Sequence, residues 1–182
     1  MPPIKQATMA ENKVERVLLP QDMKPSSYNV ELTPNLETFV FEGKVDITVD
    51  VVKRCKSVQL HARELYFQSA HFKSEAQSGF STEAIAFNFD AKYNVVTIEF
   101  DKEVPLGQGH IVIKYLGEHN NQMAGFYRSS YKDVTGDERV MVTTQCEAID
   151  ARRILPCWDE VCLCVRVRVR VRTADGTKAR VM

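Results

Sequence analysis

The sequence predicts an all-β chain, an antiparallel β-sandwich, on three observations. Apolar residues recur with a period of two. Turn-forming residues separate the alternating runs at short intervals. No long segment carries a helical period of 3.6. Alternation of this kind marks a half-buried strand, because successive side chains point to opposite faces of a sheet.

Taken in order, residues 1–15 are expected to form a flexible lead-in, with Pro2 and Pro3 inside it and Pro20 shortly after. Tyr28, Val30 and Leu32 then alternate with Asn29 and Glu31. The longest alternating run covers 39–51: Phe39, Phe41, Val45, Ile47, Val49 and Val51 share one face, and Glu42, Lys44, Asp46, Thr48 and Asp50 the other. Gly43 stands in the apolar phase and marks either a bulge or a close backbone approach. Further strands are expected at 85–89, 95–100, 111–115 and 140–145, separated by turn chemistry at 90–94, 105–109 and 135–137. One stretch, EAIDARRIL at 147–155, reads as a helix that Pro156 would stop. After it, Val165, Val167, Val169 and Val171 occupy an apolar phase and Arg166, Arg168, Arg170 and Arg172 a polar one. ADGTK at 174–178 supplies the next hairpin turn, with Asp175-Gly176 as a favourable pair.

Composition narrows the function classes. A chain of 182 residues, 44% hydrophobic and 26% charged, holds one good core or two small ones. Lys+Arg and Asp+Glu are both 24, so overall charge favours neither nucleic acid nor a membrane surface. The charge is unevenly placed: residues 166–182 carry six basic side chains against Asp175 alone, leaving 18 basic against 23 acidic elsewhere. No segment reaches the roughly 18 apolar residues of a membrane helix. The first seventeen residues, with Lys5, Glu11, Lys13, Glu15 and Arg16, lack the apolar region of a secretory signal. Cys55, Cys146, Cys157, Cys162 and Cys164 are odd in number and irregularly spaced, which fits reduced thiols and a cytoplasmic location. Cys157, Cys162 and Cys164 have neither a CxxC pair nor a nearby histidine to complete a metal site.

Two stretches are not explained by composition: GFYRSSY at 125–131 and TQCEAIDARRILPCWDE at 144–160. Together they resemble the amino-terminal domain of the gluzincin zinc aminopeptidases, the family of puromycin-sensitive aminopeptidase and aminopeptidase N, with leukotriene A hydrolase a more distant relative. The resemblance extends upstream through RVLLPQDMKPSSYNVELTPNLETFVFEGKVDITVDV and VQLHAREL, so it covers residues 16–160. It implies a saddle-like β-sandwich that packs against a thermolysin-like catalytic domain. It also implies that Gln145 and Glu147 are substrate-binding residues. Glu147 would help hold the free α-amine of a peptide N-terminus, and Gln145 would line the pocket for the first side chain. Carboxylates suit that task because they pair with an ammonium at short range. If the strand continues through residue 147, both side chains leave the same face. From residue types alone, a Gln and a Glu near a strand end read as solvated surface, and the family text around them reverses that reading. Arg152 and Arg153 correspond to the family's DARR, where they are expected to pin the turn beneath the cleft. Phe126, Tyr127, Tyr131 and Trp158 read as core or domain-interface aromatics.

The family's catalytic machinery is another matter. It uses H-E-x-x-H on a helix, where two imidazoles one turn apart bind zinc and the glutamate acts as general base. The histidines here are His61, His71, His110 and His119, no two of them four apart, so the motif is absent. Cys146 has no histidine beside it in sequence to make it a nucleophile, and a small buried cysteine is the common case. The resemblance therefore implies no catalytic residue and no cofactor in this chain, with zinc belonging to the full-length family.

The likeness falls away after Glu160, where Val161 stands in place of the family's Pro and the Val-Arg run replaces its next strand. Residues 161–182 are read as a divergent strand and hairpin that complete part of the same domain, carboxy-terminally truncated. Missing last strands would leave a Val-rich edge open to self-association. The alternative reading is an independent binding module that uses the Arg166–Arg172 row for nucleic acid or another anionic partner. The lack of interleaved aromatics and the acidic remainder argue against nucleic acid.

Overall fold

A computed structural model describes residues 18–160 and 165–172. The expected lead-in at 1–15, Cys162 and Cys164, and the expected turn at 174–178 lie outside the described residues. Ten strands follow in chain order: β1 Met23–Asn35, β2 Val40–Val51, β3 Cys55–His61, β4 Leu65–Ser74, β5 Ser81–Asp90, β6 Val95–Val104, β7 Gly107–Glu118, β8 Gly125–Lys132, β9 Glu138–Gln145 and β10 Arg166–Val171. The sole helical element among the described residues is the 3₁₀ turn Ala151–Arg153.

Eight strands form one sheet in the order β10-β1-β2-β7-β4-β5-β6-β3, and β8 and β9 form a separate hairpin. The sheet doubles back on itself at β5. Ser81, Thr82 and Glu83 pair with β4, whereas Ala84 and Ala86–Asp90 pair with β6, with a register shift between Ala84 and Ala86. A bulge bends a strand locally and is one way a strand turns the corner between two layers. The inner faces then meet in a single buried cluster. Ile47, Ile111 and Ile113 come from one layer, Leu60 and Ile98 from the other, all fully buried. Phe72 of β4 meets Phe100 of β6 edge-on at 6.4 Å. The architecture is the all-β sandwich expected.

In β2, the apolar phase from Phe41 to Val51 is buried throughout. Gly43 belongs to that phase because Tyr115 lies across it: a Cβ there would stand 2.2 Å from the Tyr115 ring. Close approach, not a bulge, explains this glycine, since the β1–β2 and β2–β7 registers run through it unbroken.

Two expectations are corrected. The pairing is not antiparallel throughout, because β10 runs parallel to β1, with Tyr28 opposite Val167 and Val30 opposite Val169. The valines do take the core-facing phase, yet Val167 and Val169 remain 51% and 47% exposed. Among the described residues, β10 pairs with β1 alone. The stretch 147–155 is not a helix: Glu147–Asp150 form a turn and only Ala151–Arg153 wind into 3₁₀. Nine residues are too few to hold a helix by propensity alone, and here Arg152 bonds Asp159 and Arg153 bonds Glu64, both outside the segment.

Candidate functional site

The two motif stretches, separate in sequence, meet in space. GFYRSSY forms β8, and TTQ ends β9. The hairpin register pairs Gly125 with Gln145. Gly125 sits at φ +69°, and a Cβ on it would come within 2.5 Å of Arg153 Cβ. Both facts demand glycine at this position. The first residue of one motif is thus wedged between the strand end and the DARR turn of the other. Phe126 seats this end of the hairpin, buried against Phe41 at 5.3 Å and edge-on to His119 at 4.5 Å.

Beyond Gln145 the chain enters an anchor built of side-chain bonds. Arg152 is buried, and its Nε donates to Asp159 Oδ2 at 2.9 Å. Arg153, also buried, donates from Nε to Asp150 Oδ1 at 2.9 Å and from Nη1 to Glu64. His61 closes the far side. Its backbone exchanges hydrogen bonds with Cys157, 2.8 Å in one direction and 3.1 Å in the other. Its Nδ1 accepts the Asp159 N–H at 3.2 Å, which leaves the ring proton on Nε2. Burial first, and the Arg152 charge second, hold the His61 pKa below the ordinary histidine value. The Trp158 N–H donates to the Tyr28 hydroxyl at 3.2 Å, and Glu160 accepts from the Leu19 N–H at 2.8 Å. Burial pushes the Cys157 thiol well up, so it is a packed neutral group and not a nucleophile.

Gln145 and Glu147 ride on this anchor. Both are exposed. β9 ends at Gln145, so the same-face relation expected for an extended strand does not hold. Glu147 instead lies in the turn, which the Asp150 N–H closes onto the Cys146 carbonyl at 2.9 Å. Among the described residues, neither the Gln145 nor the Glu147 side chain has a hydrogen-bond or ion-pair partner. Cys146, between them, is exposed rather than buried. Sequence reasoning missed Glu64 and His61 as parts of the anchor. The signal for them lay in HARE at 61–64, inside the stretch noted for family resemblance alone.

His119, packed on Phe126, and His110 serve the scaffold. His110 on β7 bridges Asp46 and Glu75, 2.8 Å from each. Among the described residues, no group of three or more His, Cys, Asp or Glu is arranged to hold a metal. The side chains present thus do not fit a zinc site. No helix of the described residues is long and apolar enough to cross a membrane.

Fold and site together define a β-sandwich domain in which exposed Gln145 and Glu147 stand beside a hydrogen-bonded anchor. The chain belongs to the Peptidase M1 N-terminal domain family, which it matches over residues 24–176. It is similar to Aminopeptidase M1-C of Oryza sativa subsp. japonica, 38% identical over 142 residues, covering 78% of this chain and 16% of that protein. It is also similar to Puromycin-sensitive aminopeptidase of Caenorhabditis elegans, 36% identical over 148 residues, covering 81% and 15%. Alanine/arginine aminopeptidase of Saccharomyces cerevisiae is 36% identical over 152 residues, covering 81% and 17%. The chain thus spans only 15–17% of the length of these relatives. Zinc belongs to the full-length family.

Proposed function

We propose that this chain acts as the substrate-binding amino-terminal part of a zinc metalloaminopeptidase, working with a catalytic domain outside the sequence in hand. In this reading the Glu147 carboxylate accepts hydrogen bonds from the α-ammonium of a peptide N-terminus. Gln145 borders the space for the first side chain. Zinc would be held by that catalytic domain, where it would supply Lewis-acid activation of water. The residues here bind and orient, and the chain alone turns over no substrate. The free thiols Cys55, Cys146 and Cys157 suit a cytoplasmic setting.

One observation carries this proposal. Between residues 145 and 160, Asp150, Arg152, Arg153, Asp159 and Glu160 each bond another described residue, and Glu147 does not. An exposed carboxylate held on a rigid base is ready for a cation from outside. The test is a graft in which residues 24–160 replace the matching segment of the Caenorhabditis elegans relative. The graft should hydrolyse aminoacyl amides, while the isolated chain with added zinc should not. In the graft, Glu147→Ala should weaken the preference for an amine-bearing inhibitor over its desamino analogue about 10- to 100-fold. An undiminished preference, or robust turnover by the isolated chain, overturns the proposal.

A further inference from the structure

Arg153 ties the Gln145–Glu147 tip to the sandwich. Its buried guanidinium donates from Nε to Asp150 Oδ1 at 2.9 Å and from Nη1 to Glu64 Oε2. Asp150 stands on the side of the tip. Its N–H closes the 146–150 turn onto the Cys146 carbonyl at 2.9 Å, and its carbonyl accepts the Arg153 N–H at 3.1 Å. Glu64 stands on the side of the sandwich, in the connection between β3 and β4. That connection also holds the DARR turn by its backbone, since the Arg63 N–H donates to the Arg152 carbonyl at 2.9 Å. A continuous path of bonds thus runs from Glu64 through Arg153 and Asp150 to the turn that carries Glu147. Glu64 is unusual in two ways. Its φ of +58° lies in the left-handed region, where glycine costs least. Its carboxylate is exposed, yet it pairs with a buried guanidinium, and its other contact, Arg63 Nε at 3.8 Å, is loose. Glycine would serve a bare turn better; what Glu64 adds is a carboxylate for Arg153.

Given the amine-binding reading of Glu147, we infer that Glu64 is a positioning residue for recognition of the peptide α-amine. Through Arg153 and Asp150 it fixes where the Glu147 carboxylate stands. A buried guanidinium left short of a carboxylate is costly and turns toward the acceptors that remain. Asp150, bonded to it, moves with it, and so does the turn that the Asp150 N–H closes. Glu147 has no side-chain bond to a described residue, so its place is inherited from that turn. An ammonium held at hydrogen-bond range tolerates little displacement of its partner. Misplacement by about 1 Å, caused by a change far from the chemistry, can cost about 100-fold.

The test begins with Glu64→Gly in the full 182-residue chain, which removes the carboxylate while suiting the left-handed backbone. Hydrogen exchange at the Asp150 amide should speed up about three- to tenfold, a coupling usual within one ion-pair network. The β2 amides should not change, as they would if the whole fold were weakened. In the graft, the same variant should lower the preference for the amine-bearing inhibitor over its desamino analogue about three- to tenfold. Glu64→Gln, which keeps an acceptor oxygen for Arg153, should retain more of both. In a Glu147→Ala background, Glu64→Gly should lower the preference no further, because it acts only through Glu147. An unchanged Asp150 exchange rate, or a further drop in the double variant, overturns the positioning role. So does an intact preference in Glu64→Gly where Glu147→Ala has lowered it. If Glu147→Ala itself leaves the preference undiminished, the amine-binding reading falls, and the positioning role with it.

Discussion

The anchor at 150–160 and the tip at 145–147 are neighbours in sequence and differ in how their charges are used. In the anchor, each guanidinium is buried and bonded to a carboxylate: Arg152 to Asp159, and Arg153 to Asp150 and Glu64. At the tip, Glu147 is exposed and bonds to no described residue. Charges that build the fold find their partners within it, because a buried charge left alone costs several kcal/mol. A charge kept for another molecule is left free. That contrast ties this local structure to the proposed function.

The largest expected effect comes from breaking the anchor. Arg152→Ala leaves Asp159 without its partner and should cost about 3–5 kcal/mol, read as a lowered urea midpoint. An unchanged midpoint would show that the anchor is not structural.

The core gives the next contrast, between two strands of the same pattern. β2 and β10 both alternate apolar with charged residues, yet Ile47 is fully buried and Val169 is 47% exposed. Ile47→Ala should cost about 2–5 kcal/mol, and Val169→Ala should fall within roughly 0.5 kcal/mol of neutral, as for most surface changes. Comparable losses at both sites would mean that β10 is covered.

His110 supplies a smaller, pH-dependent effect. Partial burial lowers its pKa, but the hydrogen bonds it donates to Glu75 and then Asp46 outweigh it, so the pKa lies above the ordinary histidine value. Lys73 on β4 and Thr48 on β2 are its register partners. A raised folded pKa means that the stabilisation is full below the unfolded value of about 6.5 and fades as pH rises through the folded pKa. His110→Gln should therefore lose more stability at pH 5.5 than at pH 8. An equal loss at both would remove the carboxylate clamp from the account.

Much of the fold was legible because alternation survives wherever a strand is regular. β2, β6 and β7 followed from it directly. β4 did not. Leu65 and Phe67 hold one phase and Ala70 and Phe72 the other, because the register slips between Phe67 and Ser69. A bulge erases the period that betrays a strand. For β10 the phases were readable but the burial was not, since alternation says which residues share a face and not whether another layer lies over it. At the site, Gln145 and Glu147 were visible only through family text. Their residue types, near a strand end, are those of ordinary surface. The anchor escaped the sequence because Glu64 and Arg153 are partners across 89 positions, a distance no local pattern records.

The smallest expected effect on stability belongs to the residue with the largest expected effect on activity. Glu147→Ala in the grafted enzyme allows both to be measured on one sample. The account predicts a urea midpoint unchanged within error and a kcat/KM lowered about 10- to 100-fold, the value of a hydrogen bond to a charged group at ~1.5–3 kcal/mol. A lowered midpoint with kcat/KM intact would contradict it, and would make Glu147 one more structural charge.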